Sequence, residues 1–450
     1  MPEAPSKPRE RRRPLPVISL FSGALGLDLG LDQAGFDIRV AVEPQRWAAD
    51  TIERNRDGGL LRSKPRVLRE RIENLTTAEL LEAAKLKPGQ PMVISAGPSC
   101  QSFSTAGRRR SLDDPRGKLF LEFLRVVGEA QPRFFVMEQV RGVLSAAVQH
   151  RPLAERGAGH PPLTEDEQLG SAFKLILSEL SRSGYYTVFN LINVADYGVG
   201  QLRHRVLFIG SRDGEDVRIP IPTHADEPTN GHMPWRSLKD ALEGLDDPEP
   251  EHLRLSSAKA RILKKVPEGG NWRSLPSRLQ REALGKAHES WGGRVGFFRR
   301  LAWDRPAPAL TTRPDSKATM LGHPSEPRAL SVREYALIQG FPAIYEFVGP
   351  TSHKFVQIGN AVPPPVGLAV GNELRILVEQ RKRSTAARKG VVACESADLL
   401  RRLVARRPTV LDPPRMRSVK GLSDTRRWMA TASLGTRDHL DLPVLEPRRA

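Results

Sequence analysis

Between Val17 and Glu138 the sequence alternates short β-branched runs with longer stretches of helical period, the pattern of an open α/β sheet. The runs are Val17-Ile18-Ser19-Leu20-Phe21, Ile38 to Val42, Met92-Val93-Ile94 and Arg133-Phe134-Phe135-Val136-Met137. Between them, SGALGLDLGLDQAGF gives a glycine turn and then a helical pattern closing at Gly35. A helix is predicted over Thr77 to Leu86, and Lys118 to Ala130 places Leu119, Phe120, Phe123, Leu124 and Val127 at helical spacing. Runs this short and apolar are expected to be buried parallel strands. They lead to residues with chemistry to offer: Glu43, the Gly97-Pro98 break before Cys100, and Glu138. The carboxyl edge of an open α/β sheet is where ligands bind and side chains react.

A lone cysteine inside a cell is usually a small buried hydrophobe, but the neighbours of Cys100 argue for reactivity. Gln101, Ser102, Ser104 and the run Arg108-Arg109-Arg110 make its loop polar and cationic, which lowers a thiol pKa and attracts an anionic substrate. Glu138 on the same sheet edge supplies an acid, and thiol plus acid is the minimum set for nucleophilic attack with protonation of the acceptor. Glu43 lies 20 residues after Gly23, the spacing at which a nucleoside site places the carboxylate that takes both ribose hydroxyls. Gly23, Gly26 and Gly30 are spaced GxxGxxxG rather than GxGxxG, so a cofactor with a ribose and no pyrophosphate fits better. Further on, Gln201, Arg203 and Arg205 alternate ahead of the apolar run Val206-Leu207-Phe208-Ile209. On an extended segment all three project from one face, where they can grip a phosphate or a carbonyl oxygen.

No apolar run approaches 18 residues, so no membrane span is expected, and two cysteines, Cys100 and Cys394, make neither a disulfide framework nor a tetrahedral metal site. A reducing, cytoplasmic setting and no bound metal are the expectation. The net charge of +18 points to nucleic acid, and much of it sits at the ends. Residues 381–450 hold 17 Lys or Arg against 7 Asp or Glu, and residues 1–16 hold 5 against 2. The Pro- and Arg-rich residues 1–16 are expected to be a disordered basic arm, with the fold starting at Val17. From about Asp213 to Ser290 the chain turns polar and rich in Pro and Gly, as a separate module or insertion would. GGRVGFFRRLAW then mixes aromatic and cationic residues that suit phosphates and bases, or core. A helix is expected over Val332 to Gln339, a loop over Gly359 to Pro365 and a helix from about Val366. Beyond Gln380 only a basic tail is expected, with a short helix near Ala397 to Val404.

Six stretches in order carry a resemblance: LFSGALGLDLGLDQAGF with AVEP, GPSCQSFS, FFVMEQVRGVL, YGVGQLRHRVLFIG, RPAPALTTRP and QIGNAVPP. From Val17 to about Gln380 the chain resembles the DNA (cytosine-5) methyltransferases. The resemblance implies an α/β fold, a doubly wound, mostly parallel sheet that binds S-adenosylmethionine, with a smaller inserted target-recognition domain. It places the catalytic and cofactor domain at 17–215, the insert at 216–330, the return to the catalytic domain at 331–380 and a largely disordered tail at 381–450. Phe21, Ser22, Gly23, Gly26 and Glu43 would hold the cofactor, with Asn360 and Val362 completing that site. Cys100 would add at C6 of the cytosine so that C5 can take a methyl group, Glu138 would hold the N3/N4 edge, and Arg203 and Arg205 would hold the base oxygen and nearby phosphate. The base would be extruded from duplex DNA to reach them.

Four residues depart from the family pattern. Ser99 stands where Pro usually precedes the nucleophile, Gln139 where Asn usually follows the acid, and Leu25 where the first loop usually has glycine. Arg71, with Glu73 and Asn74 close by, stands near the expected adenine-binding Asp. The resemblance implies a monomer that modifies a specific DNA site, with a cognate restriction endonuclease as possible partner. Transfer RNA cytosine methylation and an inactive DNA-binding regulator are the rival readings. The insert is expected to read sequence and the tail to add diffuse, salt-sensitive phosphate contacts.

Overall fold

The computed structural model describes residues 15–98, 118–152, 155–228, 231–288, 296–380 and 389–393. Cys100, Ser99, the run Arg108-Arg109-Arg110, most of the N-terminal arm and the stretch Ala397 to Val404 lie outside the described residues.

Chain order begins β1 (Pro16–Leu20), α1 (Gly26–Gln33), β2 (Asp37–Val42), α2 (Arg46–Asp57), β3 (Arg66–Leu68), α3 (Thr77–Ala84), β4 (Val93–Ala96), α4 (Lys118–Ala130) and β5 (Phe134–Val140). It continues α5 (Ser171–Arg182), β6 (Tyr186–Asn193), β7 (Gln201–Leu202) and β8 (His204–Ser211). Eight strands form one sheet in the order β12-β6-β8-β5-β4-β1-β2-β3, where β12 is Gly390–Ala393. All neighbours pair in parallel except β8, which runs antiparallel to both β5 and β6. The order reverses between β1 and β4, which opens a crevice at their carboxyl ends.

The strands are apolar throughout because helices cover both faces. Along β5, Phe134 and Val136 join the cluster of Leu27, Leu31, Val366 and Val370, while Phe135 and Met137 join that of Leu80, Phe123, Phe173 and Leu180. The period-two alternation of a strand thus feeds two cores. Register then aligns the edge. Leu68, Val42, Leu20, Ala96, Met137, Phe208, Phe189 and Ala393 are partners in turn across all eight strands. One residue beyond that row stand Glu43, Phe21, Gly97 and Glu138. Glu138 lies inside β5 rather than past its end, because pairing with β8 carries the strand to Val140.

The insert carries β9 (His224–Ala225), β10 (Met233–Pro234), α6 (Leu238–Ala241), α7 (Ser257–Lys265) and α8 (Ser277–Leu284), and β11 (Ala307–Pro308) follows, pairing in parallel with β7. A small core of its own gathers Ile262, Leu263, Trp272, Leu284, Phe298 and Met320. Phe298 is therefore core, and Phe297 packs against it half-buried.

The last helices are α9 (Val332–Gln339), α10 (Thr351–Asn360) and α11 (Pro364–Glu379). Gly359 and Asn360 end α10, so the expected loop from Gly359 shrinks to a three-residue turn before α11. Helix α11 crosses α1 at very short range. A β-carbon on Gly30 would stand 2.2 Å from the carbonyl oxygen of Pro364, and one on Gly367 would stand 2.1 Å from that of Leu27. Gly26-x-x-x-Gly30 on one helix and Gly367-x-x-x-Gly371 on the other let the two backbones touch. Arg375 closes the far end by donating to Ala34 O at 2.9 Å.

Within the tail expected to be largely disordered, Gly390–Ala393 adds a parallel strand to the edge of β6. Four residues in a basic stretch give no periodic signal, and it is the edge of β6 that makes them a strand. Among the described residues no helix is long and apolar enough to cross a membrane, and no cluster of three or more His, Cys, Asp or Glu could hold a metal.

Candidate active site

Strand β1 ends in a loop of unusual backbone. Phe21 has φ 54°, Gly23 φ 53° and Leu25 φ 55°, so three of five consecutive residues are left-handed. For Leu25 that conformation costs about 1–2 kcal/mol. Its side chain is 1% exposed, packed with Leu29, Ile52, Tyr345 and Phe347, and full burial of a leucine returns about 1.5–3 kcal/mol. The residue replacing a loop glycine therefore adopts the glycine backbone and points into the core, so it does not crowd the crevice.

Glu43 closes this loop. Its Oε2 accepts from the Gly23 amide and its Oε1 from the Gln45 amide, both at 2.8 Å. Burial raises its pKa, against the lowering effect of those two bonds. Each carboxylate oxygen keeps a lone pair for a further donor such as a sugar hydroxyl. A β-carbon on Gly23 would meet nothing within 4 Å, so the loop borders open space, with the half-buried Phe21 alongside. A buried carboxylate, a free backbone flank and an aromatic ring fit a nucleoside. Gly26 is also at this loop, and its bare α-carbon admits the carbonyl of Val362, to which a β-carbon would come within 2.1 Å. Val362 is thereby held against the loop and 8% exposed, while Asn360 is exposed at the end of α10.

On the other side of the crevice, β4 and β5 bring the start of the cysteine loop to Glu138. A β-carbon on Gly97 would stand 3.8 Å from Glu138 Oε2. Gln139 Nε2 donates to Pro98 O at 3.3 Å, so the longer amide at this position reaches across and ties down the residue two before Cys100. Glu138 is 8% exposed, and Arg205 Nε contacts its Oε1 at 2.5 Å. The guanidinium holds the acid in place on the row shared with Gly97.

Arg203 behaves differently from Arg205. The chain breaks between β7 and β8 at this residue, and Arg203 turns inward to 3% exposure. Its two terminal nitrogens donate to Leu310 O at 2.9 Å and Gly359 O at 2.7 Å. Burial pulls its pKa well below the usual arginine range, and Arg205 adds to that pull. Gln201 is equally buried, bonded to Gln339 and accepting from Leu310 N at 3.0 Å. Of the three polar side chains expected on one face, Arg205 therefore meets Glu138, while Gln201 and Arg203 are buried clamps. Gln339 donates in turn to Ile358 O and Ala361 O, and Tyr335 clasps Thr311 by donating to its carbonyl at 2.9 Å.

Residue-pattern reasoning also passed over Asp28. It is 3% exposed and accepts from Ser19 on β1 at 2.7 Å and from Ser95 on β4, while Ser19 bonds Ser22 of the loop at 2.8 Å. Burial raises its pKa. An aspartate in an otherwise apolar helix face, with serine inside two β-branched runs, was the available signal. His204 is held neutral, its pKa pushed down to about 4 by burial and by Arg141 and Arg205. Arg71 pairs with the Glu73 carboxylate at 2.8 Å on the surface, and Asn74 donates to Glu70.

The family model for C-5 cytosine-specific DNA methylases matches residues 15–375. Among characterised proteins, the Type II methyltransferase M.Sau96I of Staphylococcus aureus is 34% identical over 363 residues, covering 80% of this chain and 75% of its own. M.Eco47II of Escherichia coli is 34% identical over 375 residues, covering 81% and 79%. A solved structure described as a DNA modification methyltransferase encoded within an E. coli prophage superposes with TM-score 0.54 at 25% identity, covering 81% of this chain and 99% of its own. The Entamoeba histolytica methyltransferase EhMeth shares the fold, with TM-score 0.51 at 14% identity over 82% and 99% of the two chains.

Proposed function

Because the chain belongs to the C-5 cytosine-specific DNA methylase family, we propose that it modifies one specific duplex sequence as the methylating partner of a Type II restriction-modification system. The protein is a DNA (cytosine-5) methyltransferase. S-adenosylmethionine, when bound, supplies an electrophilic methyl group. Phe21, Ser22, Gly23 and Glu43 hold its nucleoside part, with Asn360 and Val362 closing the site from the far end of the chain. Gly26 serves that closure by admitting the Val362 carbonyl.

Cytosine C5 is too weak a nucleophile to react unaided. The Cys100 thiolate adds at C6 and forms a C–S bond, which pushes the ring electrons toward C5. Glu138 holds the N3/N4 edge and favours protonation at N3 as negative charge develops, with Arg205 fixing its carboxylate. Once C5 is methylated, loss of its proton and expulsion of the thiolate restore the ring. A stacked base cannot reach a buried acid, so the cytosine is extruded into the crevice. Arg203 acts as a positioning residue, joining the stretch at Leu310 to the end of α10.

The observation that carries this reading is the shared row: Glu138 and the start of the Cys100 loop stand side by side, two strands from the Glu43 and Gly23 bond. Residues 216–330 are the target-recognition domain in this reading, and their separate core supports that role. The test offers duplex DNA and transfer RNA side by side with labelled cofactor. Label transfer to DNA cytosine C5 is expected. Label on transfer RNA alone, or on neither, would overturn it.

A further inference from the structure

We propose that Arg299 reads a guanine of the recognised duplex, offering two donors to the O6 and N7 acceptors on its major-groove edge. The inference rests on the reading of the insert as the unit that meets duplex DNA.

The arginines of the insert have unlike surroundings. Arg300 is 8% exposed and uses its donors inside the protein, Nε on His323 O at 3.1 Å and Nη1 on Val266 O at 2.9 Å. Arg328 pairs with Glu326 and Glu334, and Arg313 with Asp315. Arg278 and Arg281 are exposed and keep their water. Arg299 belongs to neither group. It is half-buried, and among the described residues no carboxylate, carbonyl or hydroxyl accepts from its guanidinium. Burial alone pulls its pKa down, with no anion to offset it. A guanidinium carries five donors and keeps its proton in a protein, so partial burial without an acceptor is unfavourable until one arrives.

The backbone around this side chain is well held. Phe298 N donates to Lys317 O at 2.9 Å, Gly322 N to Arg299 O at 3.0 Å and Arg300 N to Gly270 O at 3.0 Å. Phe298 itself is part of the core of the insert. The guanidinium lies beside Gly296, where a β-carbon would stand 3.6 Å from Arg299 Nη2 and 2.5 Å from Ala318 O. Phosphate contacts need no such placement, and the exposed cations can make them. A base edge is read by donors already in position, and the forked donors of an arginine match the two acceptors that guanine presents in the major groove.

The same stretch leads back to the reaction centre. Arg203 joins Leu310 O to Gly359 O, and a β-carbon on Gly359 would stand 2.6 Å from Thr311 O. From Thr312 to Ala318, near the Arg299 guanidinium, the chain advances six residues, at most about 21 Å. At about 3.4 Å per step of duplex, that is roughly six base pairs. The guanine therefore belongs to the site around the target cytosine rather than to remote duplex.

The experiment first maps the sequence methylated by the wild-type chain by bisulfite sequencing. Equilibrium binding is then measured on duplexes in which each base pair of that site is replaced in turn, and each guanine is replaced by 7-deazaguanine, which lacks the N7 acceptor. Arg299→Met keeps the apolar stem and removes every donor, whereas Arg299→Lys keeps the charge and removes the fork. Wild type is expected to lose roughly tenfold to a hundredfold in affinity when one G·C pair is replaced, and to lose affinity for 7-deazaguanine at the same place. Both variants should bind the mapped site more weakly by about that factor and become indifferent to that pair, with discrimination at the other positions intact. Arg299→Lys should also keep the wild-type salt dependence. Discrimination unchanged at every position in both variants overturns the inference. Uniform weakening in Arg299→Met, with Arg299→Lys near wild type, marks a phosphate contact and overturns it too. A wild-type chain that methylates no duplex overturns the premise instead, a result visible at the mapping step before any variant is compared.

Discussion

The sheet edge and the inserted unit are built by opposite means. At the edge, Phe21, Glu43, Gly97 and Glu138 come from four strands and meet because register places them one step beyond a common row. In the insert, Ile262, Trp272, Leu284 and Phe298 come from one short span and close a core without the sheet. Position at the edge is fixed by the whole fold, so under the proposed function a substitution there is expected to change the chemistry and leave the DNA site chosen unaltered. Position in the insert is fixed locally, so under the proposed function that unit is the one whose exchange is expected to move the target while the chemistry stays the same.

The largest expected contrast is Cys100→Ala, which should abolish methyl transfer while leaving duplex binding largely in place. Methyl transfer near the wild-type rate would refute the nucleophile. Next is Trp272→Ala in the insert, where truncating a large buried aromatic costs about 3–5 kcal/mol. That loss should appear as weaker and less selective DNA binding, with the single-turnover rate at saturating DNA little changed; a fall in that rate with selectivity intact would erase the contrast. Glu138→Gln keeps a hydrogen-bonding edge but loses the charge paired with Arg205, and should slow single-turnover methylation on the order of a hundredfold. An unchanged rate would make Glu138 structural.

Smaller effects sharpen the same distinction. Gly30→Ala forces α1 and α11 apart at a contact of 2.2 Å, and should cost about 1–3 kcal/mol of stability by thermal or denaturant unfolding, with the target sequence unaltered. Wild-type stability in this variant would show that the helices are free to separate. His204 has a folded pKa depressed to about 4 against an unfolded value near 6.5. The unfolded chain therefore binds the extra proton first, and this residue withdraws stability as pH falls from above 6.5 toward 4. The effect is about 1 kcal/mol at pH 6 and grows below it. His204→Gln should flatten that part of the pH–stability curve, and an identical slope in the variant would discount the residue.

Much of the edge was legible because its strands are buried on both faces and so read as continuous apolar runs. Helix α4 and helix α9 were placed to the residue by their periodicity. Helices α2 and α10 escaped notice, since RWAADTIERNRD and TSHKFVQIGN are mostly polar; α2 packs on β3 and α10, and α10 chiefly on α9. Alternation put Arg203 and Arg205 on one face, but a break in the strand and two buried carbonyls gave them different work. Gly26 was read as part of the cofactor site and Gly30 only as one of the spaced glycines. Their fuller explanation required Val362 against Gly26 and Pro364 and Gly367 against Gly30, more than 330 residues away, which no local pattern can supply.

That glycine crossing has a consequence for the order in which the protein is made. Helix α1 leaves the ribosome early with its bare glycine face and its apolar residues, and the helix shaped to receive them is translated more than 330 residues later. At about 5–20 residues per second the interval is roughly 17–70 s. Throughout it the nascent chain holds an unfinished first loop, with Val362 not yet synthesised to lie against Gly26. A chain interrupted before α11 carries the thiol and the acid but has no means of finishing the pocket at the other end of the row.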